Sequence, residues 1–564
     1  MSTGGRVGAA AAMLHPLALL VAGVALLTLV VLTAIFGERP PEQKPSSAPA
    51  SQFSAERAGA VLRRLLADEQ PHPVGSAANR AVRERLEAEL RALGLAPELD
   101  AGRVCDSPAR CFDVENVRAV LPGTSDRAAL VIAAHYDSVP QGPGAADDGA
   151  GVAAAIEIAR ALRSAPRLSR SVWLLFTDGE EAGMLGARHF VRDARRLREI
   201  AIVLNLEARG VRGPSLMFET SRPNLDLVRA FGRAVERPVA SSLFYAVYRL
   251  LPNDSDMSVF RGAGLRGMNF AFIAGAERYH TAQDDLAHLS LASVQHHGDQ
   301  ALALLREFDR AELGAADDAV FFDLAGRALV VLSSAAARGA TALLAVLAAL
   351  LAWQALKRRL VSLPSLSGAL LAWLGSLALA LLAGIIADAV LRSSGVLETP
   401  WPRSSALVVA ALHAAALGSL CGAAALVGPS ADPRSVLVVH ALALAALSVA
   451  LASSAPEVVF PYLVPGLVTA GVALGGLALR AAGAFTSATL AGLAVHGLLW
   501  APVDSIAFDA IGVAAPAISA GIAVALMLPL LPLVAGLTRA VRAWIAVFSL
   551  TASTLGTLAA ALLG

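Results

Sequence analysis

The chain has 564 residues, of which 56% are hydrophobic and 16% charged, with a net charge of +1 and three cysteines. That length calls for several domains, and so high an apolar fraction excludes one soluble protein. The near-zero net charge gives no sign of a nucleic-acid partner, and none is expected. Nearly all charge falls before Glu312 or in short later clusters, so the two halves need separate readings.

The first apolar stretch, Met13 to Phe36, follows Arg6 and is long enough to span a bilayer. The nearest small-residue cleavage site, Ala48 to Ala50, lies beyond a polar, Pro-rich segment, so residues 1–37 read as a retained signal anchor. Residues 38–54, rich in Pro and Ser, read as an extended linker. A soluble domain is expected over 55–313. Ser76 caps a predicted helix whose Val82, Leu86, Leu90 and Leu93 share one face, closed by Gly94. Helical patterns also fit Gly151 to Leu162, Gly183 to Leu197, Leu225 to Val235 and Leu291 to Phe308. They alternate with short apolar runs, which predicts an α/β domain: a mostly parallel mixed sheet with helices on both faces.

Four of those runs end in ligand-type side chains. Val131 to Ala134 leads to His135 and Asp137, then a Gly-rich turn carrying Asp147 and Asp148. Ser171 to Thr177 leads to Asp178, Glu180 and Glu181; Ala201 to Leu206 leads to Glu207; Met268 to Ile273 leads to Tyr279 and His280. Side chains at the carboxyl ends of parallel strands converge on one crevice. A set of His, Asp and Glu suits divalent metals bound through nitrogen and oxygen, zinc first among them. One such ending arises easily by chance, whereas four in order favour a metal site.

Cys105 and Cys111 fall in a Pro-containing loop. A disulfide there would imply an oxidising compartment, and two unrelated thiols are the alternative. Cys421 reads as packing in an apolar helix. From residue 314 on, an all-α transmembrane bundle is expected, with spans near 340–356, 366–390, 405–427, 435–453, 458–479, 484–501, 510–535 and 543–563. Counting the anchor, that is about nine helices. Lys357-Arg358-Arg359, Arg434, Arg480 and Arg539 with Arg542 fall in alternate loops and should be cytoplasmic. The soluble domain is then extracytoplasmic: periplasmic or extracellular in a bacterium, lumenal in a eukaryote.

His135-x-Asp137, Gly-Ala-Ala-Asp147, Glu180-Glu181-x-Gly-x-x-Gly, Asn205-Leu-Glu207 and Tyr279-His280-Thr281 resemble the motifs of the di-zinc exopeptidases related to aminopeptidase Y and glutamate carboxypeptidase. Pro71-His-Pro-Val-Gly-Ser76 with Asn79 is similar to the segment that opens their catalytic domain. The likeness is greatest to a multi-pass branch, the endoplasmic reticulum metallopeptidases and vacuolar membrane proteases. It implies two zinc ions per chain, bridged by Asp147, with His135 and Glu207 on one and Glu181 and His280 on the other. Glu180 would be the general base and Tyr279 a donor to the tetrahedral oxyanion. Asp137 would orient His135 from behind, with Asp256 and Asp284 as weaker candidates for the same service to His280.

The reading is thus a membrane-anchored zinc exopeptidase, most simply an aminopeptidase, acting on peptides at a bilayer. Two zinc ions about 3.5–4 Å apart can share and acidify a water. A glutaminyl-cyclase-like zinc acyltransferase with one metal, a non-catalytic receptor or scaffold, and a transporter with an accessory peptidase domain are the rivals. Specificity is expected in loops such as Phe218-Glu219 and Phe244 to Tyr248. All ligand candidates precede Leu313, so a chain ending there is expected to hydrolyse small peptides.

Overall fold

The structure, a computed structural model, describes residues 15–107, 110–249, 253–314 and 317–563. Arg6 and Met13, read as the start of the anchor, lie outside them. Helix α1 (Pro16–Gly37) is apolar on every side, as suits a helix among lipid and other helices. Helices α2 (Ala55–Leu66) and α3 (Ala77–Ala92) begin at Ser54 and Ser76, whose hydroxyls accept from Arg57 N (3.3 Å) and Asn79 N (3.0 Å). Gly94, at φ +69°, turns the chain out of α3.

Strands β1 (Glu98–Ser107) and β2 (Arg110–Leu121) pair antiparallel and set Cys105 opposite Cys111, to which it is disulfide-bonded. Both cysteines stand in strands, not in the expected loop, because Val104 and Val114 bury against Leu185 and hold the ribbon in register. The remaining elements of the domain are β3 (Ala129–His135), α4 (Gly151–Arg163), β4 (Val172–Thr177), α5 (Leu185–Phe190), α6 (Ala194–Arg198), β5 (Ile200–Ala208), β6 (Leu216–Thr220), α7 (Leu225–Ala234), α8 (Ser242–Tyr248), α9 (Asp256–Gly262), β7 (Gly267–Phe272) and α10 (Leu291–Arg310). The single helix expected over Gly183 to Leu197 is two, since Asp193 caps a new start with its carboxylate on Arg195 N and Arg196 N.

The seven-stranded sheet runs β1-β2-β4-β3-β5-β7-β6. Its centre, β4-β3-β5-β7, is parallel, and β2 and β6 flank it antiparallel. Every residue of β3, β4 and β7 is buried, as strands covered by helices on both faces require.

Strands β8 (Ala319–Asp323) and β9 (Leu329–Ser333) form a hairpin at the seam between the two halves. Alternation along β8 splits two cores: Ala319 and Phe321 bury with the sheet domain, Val320 and Phe322 with the helices that follow. Phe322 stacks on Phe460 at 4.7 Å between ring centroids. These helices are α11 (Ser334–Lys357), α12 (Leu363–Ser393), α13 (Ser405–Val427), α14 (Pro433–Ser454), α15 (Phe460–Ala478), α16 (Ala484–Ile511), α17 (Pro516–Met527), α18 (Leu531–Ala535) and α19 (Arg539–Leu563). With α17 and α18 counted as one span, nine helices among the described residues are long and apolar enough to cross a membrane. One boundary differs from the sequence reading. Helix α16, expected to end at residue 501, continues past Pro502 and takes in Asp504 and Asp509. His413 on α13 makes this tolerable, its Nε2 lying 3.1 Å from Asp504 Oδ2.

Candidate metal centre

Four neighbouring parallel strands deliver the site. His135 is the last residue of β3; Glu180 and Glu181 follow β4 on one side; Glu207 stands in β5 on the other; His280 follows β7 beyond a helical turn at Ala276–Arg278. Asp147 comes from the turn between β3 and α4. Gly144, at φ +64°, opens that turn, and Gly151 closes it where an added Cβ would lie 2.4 Å from the Asp148 carboxylate.

The side chains form two triads that share Asp147. His135 Nε2 lies 3.2 Å from Asp147 Oδ1 and 3.8 Å from Glu207 Oε2. His280 Nε2 lies 3.3 Å from Asp147 Oδ2 and 3.0 Å from Glu181 Oε2. In each triad the potential ligand atoms lie within 4.8 Å of one another, and Glu180 joins a third grouping with His135 and Glu181. The triads differ in access: His135 is 1% exposed, His280 37%.

Supporting contacts fix these positions. His135 donates from Nδ1 to the backbone carbonyl of Asp137 (3.0 Å), which leaves the Nε2 lone pair for a metal. The Asp137 carboxylate accepts from the backbone N–H groups of Glu180 (2.9 Å) and Glu181 (3.2 Å), tying the β4 turn to the β3 end. Asp284 accepts from Ala146 N (2.7 Å) and Asp147 N (3.2 Å), so it pins the bridging turn where the sequence suggested support for His280. Asp256 likewise accepts from the Thr177 hydroxyl, at the base of the β4 turn. The segment Pro71 to Ser76 closes the floor: Ser138 Oγ accepts from His72 N (2.8 Å), and Asn79 donates to Asp178 Oδ1 (3.1 Å).

Asn205 donates to Glu207 Oε1 (3.0 Å) and to Asn269 Oδ1 (3.1 Å); Asn269 donates to Glu219 Oε2 (3.0 Å) and Ser255 Oγ (2.8 Å). Asn269 has no part in the expected site, and Glu219 is expected in a specificity loop. Glu219 instead stands in β6, and a lone amide inside the apolar run of β7 is the signal for such a support. Tyr248, at the end of α8, packs edge-on against Phe218 (4.8 Å). Burial, then the carboxylates of Glu219 and Glu207, hold its phenol protonated. Tyr279 stacks on His280 at 3.7 Å. His296 and His297 are buried elsewhere, on Ser215 N and Ser215 Oγ.

Electrostatics indicate what the polypeptide lacks. Asp147, Asp148, Glu180, Glu181 and Glu207 crowd two imidazoles. Burial, followed by neighbouring Asp147, raises Glu181 to about 7; burial likewise takes Glu207 to about 8 against the pull of His135. Burial opposes a charge on His280, yet Asp147 and Glu181 prevail and raise it to about 9. Glu181 Oε1 and Asp148 Oδ2 are buried without a hydrogen-bond partner, while His280 Nε2 faces the carboxylates of Asp147 and Glu181. Excess buried negative charge with orphaned ligand atoms fits a bound divalent cation.

Residues 116–305 match peptidase family M28. The match falls inside the sheet domain, hereafter the M28 domain, and takes in both triads. The chain is 31% identical over 223 residues to endoplasmic reticulum metallopeptidase 1 of Rattus norvegicus, covering 38% of this chain and 25% of that one. It is 31% identical over 238 residues to the vacuolar membrane protease of Candida dubliniensis, covering 40% and 25%. These matches span about a quarter of the curated relatives. Among solved structures, a zinc aminopeptidase of Bacillus subtilis is similar at 16% identity and TM-score 0.38, over 47% of this chain and 98% of that one. An Acidobacteriales glutaminyl cyclase is similar at 21% identity and TM-score 0.37, over 47% and 98%.

Proposed function

We propose that this chain is a membrane-embedded zinc exopeptidase, most simply an aminopeptidase, that binds two zinc ions in its M28 domain. The observation that carries the reading is the pair of triads sharing Asp147, with Glu180 beside them. His135, Asp147 and Glu207 would hold one ion, and Asp147, Glu181 and His280 the other. When bound, zinc lowers the pKa of a water and polarises the scissile carbonyl. Glu180 takes the water's proton and delivers it to the leaving amine; burial above all raises its carboxyl over the ordinary range, which suits a group that must hold that proton in between. Tyr279, kept protonated by burial and the surrounding carboxylates, donates to the developing oxyanion. The second triad supports two metals over the one-metal cyclase reading, and zinc per chain separates them.

The bundle holds this site at a bilayer. Lys357 to Arg359, Arg434, Arg480, Arg539 and Arg542 gather at the bundle end away from the M28 domain: Arg358 donates to Leu477 O (2.9 Å) and Arg542 to Ala424 O, both near helix ends there. That supports a cytoplasmic basic end and an extracytoplasmic peptidase. The decisive test is Glu180→Gln. It should lower turnover of a peptide with a free N-terminus by about 10²–10⁴ while zinc content stays at the wild-type level. Glu181→Gln should lose zinc as well. Substantial turnover in Glu180→Gln, or equal cleavage of an N-acetylated peptide, would overturn the mechanism or the aminopeptidase assignment respectively.

A further inference from the structure

A cavity of about 650 Å³ lies at the junction of the M28 domain and the bundle, away from the metal ligands. On one side its wall is helix α8, through Leu243, Ala246 and Val247, residues at i, i+3 and i+4 on one face. The opposite wall is made by Leu451 of α14, Tyr462 of α15 and Trp500 of α16. Its volume falls within the range of about 300–1,000 Å³ usual for ligand sites.

The walls leave little for water to hold. The Trp500 ring nitrogen already donates to Pro461 O (3.2 Å), and Arg249 and Glu457, the charged groups of the lining, are paired with each other. A buried water needs two to four polar partners, so an apolar occupant fits better. Exposed apolar side chains continue from its walls. Leu447 (37% exposed) lies one turn before Leu451 on α14, and Val247, on the opposing wall, is 45% exposed. Tyr462 sits in the first turn of α15, where such a ring marks the boundary between hydrocarbon and headgroups, and Trp500 packs edge-on against it at 5.7 Å. Arg249, 40% exposed, and Arg222, 3.9 Å from Glu457, place cations at the polar rim.

We propose that this cavity binds an acyl chain of a membrane phospholipid, with the headgroup at the Arg249–Glu457 rim. The inference rests on the chain being membrane-embedded and not on the peptidase chemistry. It gives α8 two duties. The helix presents Leu243, Ala246 and Val247 to the lipid chain and, at its end, packs Tyr248 edge-on against Phe218 of β6. Its start is fastened to the bundle, Ser242 Oγ donating to Glu457 O (2.6 Å).

The test uses the full chain in phosphatidylcholine vesicles that contain a phospholipid with a diazirine at the end of one acyl chain. After irradiation and digestion, adducts should concentrate several-fold on residues 243–249 and 451–462 relative to the outward face of α19. Ala246→Trp, which fills the cavity, should remove that excess and leave labelling of α19 unchanged. Leu451→Trp, filling from the other wall, serves if Ala246→Trp does not fold. Labelling of the two segments no higher than that of α19 overturns the proposal. So does labelling that both filling variants leave intact, or labelling displaced by an apolar peptide but not by excess unlabelled phospholipid. Zinc content and turnover do not enter these readouts, so failure here is distinct from failure of the peptidase reading.

Discussion

Between His135 and Asp284 the chain gathers buried acids at one point, whereas between Ser334 and Leu563 its charged and ring side chains meet in separate pairs. In the bundle His413 meets Asp504, Arg392 meets Asp388 at 2.8 Å, and Trp373 donates to His440 at 3.3 Å. In the M28 domain Glu181 and Asp148 keep carboxylate oxygens without partners. The bundle keeps orphaned atoms too, Ser404 Oγ, Ser448 Oγ, His496 Nδ1 and Arg542 Nε, but none of them is a carboxylate. A crowd of carboxylates with open ligand atoms is stable in its charged form only around a cation. The contrast separates a region that holds the chain in place from one arranged to bind and react.

The largest effect should come from the atom pair both triads share. Asp147→Asn keeps the shape of the side chain and removes the charge that bridges them. Zinc content by atomic absorption should fall below one per chain, and peptide turnover should drop to background. A variant that keeps two zinc ions would break the assignment of Asp147, and with it the contrast between the regions.

Next in size is a test of the seam. Phe321 is 1% exposed in the M28 core, and its neighbours Val320 and Phe322 face the bundle. Phe321→Ala should cost about 3–5 kcal/mol, read as a lower melting temperature of the M28 domain. For the same reason a chain ending at Leu313 should unfold more readily than one ending at Ser333. Every ligand candidate precedes Leu313, but the fold does not end there, because alternate residues of the five-residue β8 serve different cores.

What the sequence disclosed and what it hid divide along range. His135, Glu180, Glu181 and Glu207 stand at or just past the ends of apolar runs, which marks them as candidates. His280 lies seven residues beyond its run, and the role of each comes from the resemblance. The partners that hold them are distant in the chain: Asp284 reaches the backbone of Asp147, and Asn269 reaches Glu219 across a strand pair. No periodicity reports such contacts. Tyr248 fell inside a stretch marked only as a specificity loop, because a seven-residue helix carries too little pattern to orient it.

A smaller effect follows from titration. Glu181 and Glu207 are raised from 4.5 to about 7 and 8 by burial and neighbouring charge, and His280 from 6.5 to about 9 by Asp147 and Glu181. Between the unfolded and folded values the native state binds more protons than the unfolded chain, for the acids and for the imidazole alike. Stability of the metal-free protein must therefore fall as pH rises from 5 to 8. Zinc takes the place of those protons, so the loaded protein should show a flatter profile. Melting curves with and without chelator, in matched detergent, measure both. Parallel profiles would mean that the carboxylates are not compensated by a metal.

The smallest effect sharpens the contrast by making the same chemical change in the other region. Asp388→Asn removes one carboxylate charge from α12, where Asp388 faces Arg392 one helical turn away and Arg392 is 58% exposed. A pair of that kind contributes about 0.3–0.5 kcal/mol, and Arg392 can turn to solvent or headgroups when it is lost. Zinc content, turnover and the pH profile should match the wild type, with at most a slight fall in melting temperature. The two Asp→Asn variants have equal chemistry, so any difference between them measures what the surroundings do with a charge. If Asp388→Asn also lost zinc or activity, the bundle would be coupled to the metal centre through more than the α8 and β8 contacts. The division into a holding region and a reacting region would then fail.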